Sequence, residues 1–188
     1  MSGARAHKAA REPRPPPDAE QAFEIAGRFL GTRPRSRWEV EQRLRRAGAT
    51  DGVVSAALNR LARLGLVDDA AFARWWVEQR DRHAPRGWMA LETELRAKRV
   101  PPAVIETLRT AGDLALSEEE RAAAALERHL RGRPVPEDGR ALQRLGMFLV
   151  RRGFDPATAR AVLRQRGTGE STEDLGTPGG DGSVQAGG

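Results

Sequence analysis

Residues 36–61 read SRWEVEQRLRRAGATDGVVSAALNRL, a stretch that predicts two short helices and the turn between them. Ser36 to Glu39 is S-x-x-E, a capping box in which the Ser hydroxyl and the Glu carboxylate each take up an orphan backbone N–H at a helix start. Val40, Leu44 and Ala47 then stripe one helical face, and Gly48 supplies the left-handed stop that favours glycine. Asp51 is placed to cap a further helix carrying Val53, Val54, Ala57, Leu58, Leu61 and Leu64, which Gly65 ends. Upstream, Ala22, Ile25, Ala26 and Phe29 fall at i, i+3, i+4 and i+7 before Gly31, so a helix precedes the pair. The unit is three short helices joined by tight turns.

The unit recurs twice. In the middle third, a helix starting near Asp68 or Asp69 carries Phe72, Trp76 and Arg80. Leu91 and Leu95 mark the next helix, and Pro101-Pro102 open a third with Val104, Ile105 and Leu108. In the last third, Ser117 to Glu120 repeats the capping box and leads to Leu126 and Leu130. Leu142, Leu145, Phe148 and Leu149 stripe the following helix as far as Gly153, and Asp155-Pro156 starts the last one, with Ala159, Val162 and Leu163. Leu44, Leu95 and Leu149 align, 51 and 54 residues apart. One such unit is too small to be stable alone, so neighbours must stack or share a core. Tyr is absent, and no alternating apolar–polar run bounded by hairpin turns competes with the helical reading. The expected fold is all-α: three tandem three-helix repeats, spanning 19–67, 68–112 and 113–166, in an elongated, curved array.

The two ends read differently. Residues 1–18 form a basic arm with Pro13, Pro15, Pro16 and Pro17, and residues 167–188 form an acidic tail rich in Gly, Ser and Thr. Neither holds enough apolar surface to offset the entropy of ordering it, so both are expected to be disordered. The net charge is +6, and because the tail alone contributes −4 the helical part is more basic than the whole. That charge suits nucleic acid or an acidic protein surface. A second reading stays open: 30 of the 32 basic residues are Arg, as composition bias and a solubility surface would also produce. The chain has no cysteine, which excludes disulfides, thiolate metal sites and a Cys nucleophile, and no apolar run approaches a membrane span. The expectation is a cytoplasmic monomer.

No catalytic constellation emerges. The phosphate-loop pattern is missing, and Gly179, Gly180 and Gly182 lie in linker-like sequence. His7, His83 and His129 stand alone, without the spacing that sets two ligands on one helical face. Ser36 and Ser117 are accounted for as caps, and the paired carboxylates Asp68-Asp69 as a helix start facing its dipole. No cofactor, metal or enzymatic role is expected. Trp38, Trp75, Trp76 and Trp88 suit core or inter-repeat packing, with an aromatic anchor or base-stacking platform as the alternative. One basic feature recurs at the end of each second helix: Arg43, Arg45 and Arg46; then Arg96, Lys98 and Arg99; then Arg151 and Arg152. The helix dipole accounts for one or two cations per helix. Three clusters in corresponding places would form a basic stripe able to bind an acidic partner or DNA.

The central segment runs Gly65-Leu66-Val67-Asp68-Asp69, then Phe72-Ala73, Val77 and Arg80, and continues through Gly87, Leu91, Glu94-Leu95 and Lys98-Arg99-Val100. This ordered set resembles the central signature of the RecX regulatory proteins. The flanking stretches Leu44-Arg45-Arg46-x-Gly48 and Arg151-Arg152-Gly153-Phe154 are similar to that family's first and third repeats, so the likeness covers about residues 22–166. Two departures stand out: Arg99 where the family usually has Gly, and Pro101-Pro102 in place of an acidic helix start. The resemblance implies a negative regulator of the RecA recombinase. It would lie in the groove of the RecA–single-stranded-DNA filament and suppress ATP hydrolysis and strand exchange, with weak direct DNA binding. The alternative from the residues alone is a helix-turn-helix-like nucleic-acid-binding regulator.

Overall fold

The computed structural model describes residues 15–112 and 114–167. Residues 1–14 of the basic arm and 168–188 of the acidic tail, the ends for which disorder is expected, lie outside the described residues. Two residues that composition assigns to those ends belong to helices. Asp18 is the N-cap of the first helix and forms a capping box with Gln21, and Gly167 is the last residue of the ninth helix.

The described residues form nine α-helices and no strand: α1 Ala19–Leu30, α2 Arg37–Arg46, α3 Asp51–Arg63, α4 Asp69–His83, α5 Trp88–Ala97, α6 Pro102–Thr110, α7 Glu118–Leu130, α8 Gly139–Arg151 and α9 Pro156–Gly167. Their starts follow local chemistry. Ser36 and Ser117 make the reciprocal capping boxes with Glu39 and Glu120, Asp68 accepts from the N–H groups of Ala70 and Ala71, and Asp138 accepts from that of Ala141. The sequence reading of α3 needs two corrections. Thr50, not Asp51, is its N-cap, and Asp51 instead lies 3.2 Å from Arg45 as an ion pair. Leu64 is not on the buried stripe: the helix stops at Arg63 and Leu64 is left exposed.

The middle helices all end in one way. Gly48, Arg99 and Gly153 have φ of +88°, +58° and +87°. The next residue's N–H reaches back to the carbonyl of Leu44, Leu95 or Leu149 at 3.1–3.2 Å, the Schellman closure. Arg99 thus keeps the turn that glycine serves elsewhere, at the steric cost of a Cβ in the left-handed region.

Each group of three helices surrounds its own apolar cluster. Val40, Leu44, Val54 and Leu61 centre the first, Phe72, Leu91, Leu95 and Ile105 the second, and Leu126, Leu149, Phe154 and Val162 the third. The aligned leucines Leu44, Leu95 and Leu149 are fully buried in all three. Since no core extends across a boundary, the joins between groups depend on specific polar and backbone contacts.

At the second join, α5 begins at Gly87 with no side-chain cap. The α8 end supplies the missing acceptors: the Gly87 N–H donates to Arg152 O at 3.0 Å and the Met89 N–H to Gly153 O at 3.2 Å. Orphan donors of one helix therefore meet orphan carbonyls of the next. The approach is so close that a Cβ on Gly87 would sit 2.2 Å from the Gly153 carbonyl and the Phe154 nitrogen, and one on Gly153 would sit 2.5 Å from Ala90. Gly48 has the same backbone conformation but open space around it. Gly153→Ala should therefore lose about 2–4 kcal/mol, summing left-handed strain and overpacking. Gly48→Ala should lose only about 1 kcal/mol, and Arg99→Gly should gain about 0.5–1 kcal/mol. Urea unfolding of the three variants checks the order, and equal losses for the two alanine variants would refute the clasp.

Candidate partner-binding surface

The aligned positions 47, 98 and 152 carry Ala47, Lys98 and Arg152, and the two cations act as staples between groups rather than as open charges. Lys98 Nζ lies 3.0 Å from Glu39 Oε1 of the preceding group. Arg152 donates to the carbonyl of Pro85, also in the preceding group, and its guanidinium sits 4.9 Å from the Phe148 ring centroid. The middle helices thus meet head to tail, with the C-terminal turn of each later one against the N-terminus of the one before it.

The other cations of the sequence stripe divide in two. Arg45 pairs with Glu41 and Asp51, and Arg96 pairs with Glu92. Arg43, Arg46, Arg99 and Arg151 are exposed, and their side chains have no ion-pair partner among the described residues. These four are the cations available to an acidic partner.

Most of the central signature builds the fold. Gly65 takes φ +67°, and the Leu66 N–H closes the α3 turn on Leu61 O while the Leu66 side chain stays 51 % exposed. Asp68 caps α4, and Phe72, Ala73, Leu91 and Leu95 are core. Arg80 and Glu94 pair at 2.8 Å, and the same carboxylate oxygen accepts from the Trp76 indole N–H at 2.7 Å. Arg80 and Lys98 both lie over the Trp76 ring, at 4.8 and 5.2 Å from its centroid. Asp69 does more than mark a helix start: its carboxylate accepts from the Arg37 N–H at the start of α2, 2.9 Å away. Glu118 repeats the arrangement by accepting from the Trp88 N–H at the start of α5. In both joins the acid at the first position of a group's first helix, Asp69 of α4 or Glu118 of α7, caps the middle helix of the group before it.

Of the four tryptophans, Trp88 is buried, while Trp38, Trp75 and Trp76 are half-buried. Trp75 and Trp76 pack on Phe72 with ring centroids 6.1 and 5.8 Å away. His83 is exposed and His129 stacks on Phe148 at 4.0 Å. No group of three or more His, Cys, Asp or Glu residues among the described residues could hold a metal ion, and no described helix is long and apolar enough to cross a membrane.

Two carboxylates, Glu39 and Asp81, make ion pairs not anticipated from sequence. Glu39, read as a cap, also gathers Arg33 at 3.0 Å and Lys98 at 3.0 Å. Arg121 is 3 % exposed and binds Asp81 across the second join at 2.9 Å. The latter had a signal: an Arg beside Ala122, Ala125 and Leu126 on the apolar face of α7 needs a buried anion. Burial raises the Asp81 carboxyl above its ordinary range against the pull of Arg121. Burial acts the same way on Glu39, but hydrogen bonds from Lys98, Arg33 and the Ser36 N–H outweigh it and hold that carboxyl below the ordinary range.

Residues 22–61 match the family model described as RecX, first three-helix domain, and residues 68–108 the model of RecX, second three-helix domain. A regulatory protein RecX of Mycobacterium avium is 38 % identical over 156 residues, covering 79 % of this chain and 90 % of that protein. One of Streptomyces coelicolor is 35 % identical over 180 residues, covering 94 % and 95 %. The crystal structure of RecX from Lactobacillus salivarius superposes with a TM-score of 0.66 at 19 % identity, over 79 % of this chain and 96 % of that one.

The lowered Glu39 carboxyl contributes stability that is complete above the ordinary glutamate range and lost as pH falls through its folded value. Glu39→Gln should therefore lower the Tm at pH 7 and flatten the acid-side decline, with the two proteins converging below pH ~3. Parallel Tm-against-pH curves would refute this role.

Proposed function

The chain belongs to the RecX family of regulatory proteins, and on that premise we propose that it is a negative regulator of the RecA recombinase. It binds RecA and the RecA–single-stranded-DNA filament and inhibits ATP hydrolysis and strand exchange, so modulating recombination and DNA repair. In this reading it acts as a cytoplasmic monomer, catalyses nothing itself, needs no cofactor and touches free DNA only weakly. Family membership carries the proposal.

The surface chemistry supports it. Arg43 and Arg46 on α2, Arg99 after α5 and Arg151 on α8 are exposed cations at the ends of the three middle helices. A succession of guanidiniums on a rigid helical frame suits acidic side chains or phosphates along an extended partner, because the planar fork binds either anion bidentately. The basic stripe is accordingly reduced to these four residues as the proposed contacts. Arg45 and Arg96 already pair with carboxylates of their own groups, and Lys98 and Arg152 hold the repeats together.

The test is the ATPase of RecA from the same organism on single-stranded DNA, titrated with this protein. Inhibition well below an equimolar ratio is expected. The variant R43E/R46E/R99E/R151E should need at least tenfold more protein for the same effect, with a Tm only a few degrees lower, since every substituted side chain is exposed and the reversed charges oppose the helix dipoles. RecA activity untouched by excess wild-type protein would overturn the RecA reading. Equal inhibition by both proteins would keep RecA as the partner and remove the four cations from its binding.

A further inference from the structure

Aligning the units on Leu44, Leu95 and Leu149 isolates one difference between the third and the other two. Gly146 and Val150 on α8 occupy the places of Glu41 and Arg45 on α2 and of Glu92 and Arg96 on α5. In the first two units these places hold an ion pair along the helix, 3.0 Å for Arg45–Glu41 and 2.6 Å for Arg96–Glu92. On the neighbouring third helix, α6 adds the pair Arg109–Glu106, where α9 carries Leu163 and Arg160. The ion pair along the middle helix has thus become apolar, and the neighbouring helix keeps only Arg160 of its pair. Between α8 and α9 lies a groove of about 780 Å³ lined by Leu142, Gly146, Met147, Val150, Ala159 and Leu163. Met147 is 49 % exposed on it. A concave apolar face of this kind favours a covering segment, since burying it releases the cost of its hydration.

The repeat suggests what covers it. In the first unit the chain leaving α3 turns back and buries Val67 in that unit's core. In the second, Leu114 packs against the core, and residues 114–118 wall a cavity beside Trp88 and Arg109, the counterparts of Leu142 and Leu163. In the third, the chain leaves α9 at Gly167, itself on the rim of the groove, and continues as TGESTEDL over residues 168–175. That segment offers one large apolar side chain, Leu175, and the carboxylates of Glu170, Glu173 and Asp174. The rim offers Arg160 and Arg164. Eight extended residues reach about 26 Å, enough to run back along α9, which is about 18 Å long.

We propose that residues 168–175 seat in the α8–α9 groove, with Leu175 on the floor formed by Met147 and Val150 and the carboxylates against Arg160 and Arg164. The seating does not depend on the RecA reading, and its test contains no RecA.

The sequence holds three methionines, Met1, Met89 and Met147, so methyl labelling of the full chain gives a sparse NMR spectrum. Leu175→Asp should shift the Met147 methyl signal and leave Met89, exposed on α5, in place. Neutralising the acids in E170Q/E173Q/D174N should shift Met147 in the same direction by less. In this cysteine-free chain, M147C/L175C should form an intramolecular disulfide several-fold faster than M89C/L175C. A Met147 signal unmoved by Leu175→Asp, or equal disulfide rates, would overturn the proposal. So would a Met147 shift that grows with protein concentration, or disulfide-linked dimers, either of which would assign the groove to a second copy.

Discussion

The N-terminus of α5 has no cap of its own, and the group that follows completes it. The Gly87 and Met89 N–H groups donate to the α8 end, and the Trp88 N–H donates to Glu118 at the start of α7. Each such bond contributes about 0.5–1.5 kcal/mol net, and leaving a buried donor without a partner costs more than that. The first join repeats the carboxylate cap, with Asp69 accepting from the Arg37 N–H, but adds the Lys98–Glu39 ion pair where the second uses backbone carbonyls. Separate apolar clusters fold each group, but these helix-end contacts fix how one group follows another. Gly153 serves both purposes, closing α8 in the left-handed region and leaving room for Ala90.

The constraint sorts the charges. Cations that lie where successive groups meet are used up in structure: Lys98 on Glu39, Arg152 on Pro85 O, and Arg121 on Asp81 within a nearly dry interface. A buried pair of that kind adds little net stability over an apolar one, yet losing either partner strands a charge, so it enforces one geometry. Only cations displaced from the joins, such as Arg43 and Arg46, stay open to another molecule. A basic cluster at a helix end therefore holds two populations, and charge counting cannot separate them.

Much of the architecture was legible in the sequence because it rests on local rules. Capping boxes at Ser36 and Ser117, stops at Gly48 and Gly153 and the aligned leucines all depend on residues within about one helical turn. The reading failed where two local candidates compete: Thr50 against Asp51 as the α3 cap, and Leu64 as the last core residue or the first outside it. A shift of one residue turns a helical side chain by about 100°, so an end misplaced by one residue turns a core position into an exposed one. The family signature was legible as a pattern but not as physics. Nothing in the order of its letters says that Arg80, Glu94 and Trp76 meet in one cluster or that Asp69 serves the preceding group.

The sequence by itself determined the helices, their threefold recurrence and the family, because period, caps and stops are properties of neighbouring residues. Only the tertiary structure decided which carboxylate meets which N–H across the joins, which arginines remain open, and that Gly146 and Val150 leave an apolar groove where the earlier repeats carry ion pairs. The contacts across the joins depend on distances between residues 30 to 67 positions apart in the chain. Such distances are set by how three small cores come to rest against one another, and no local pattern encodes them.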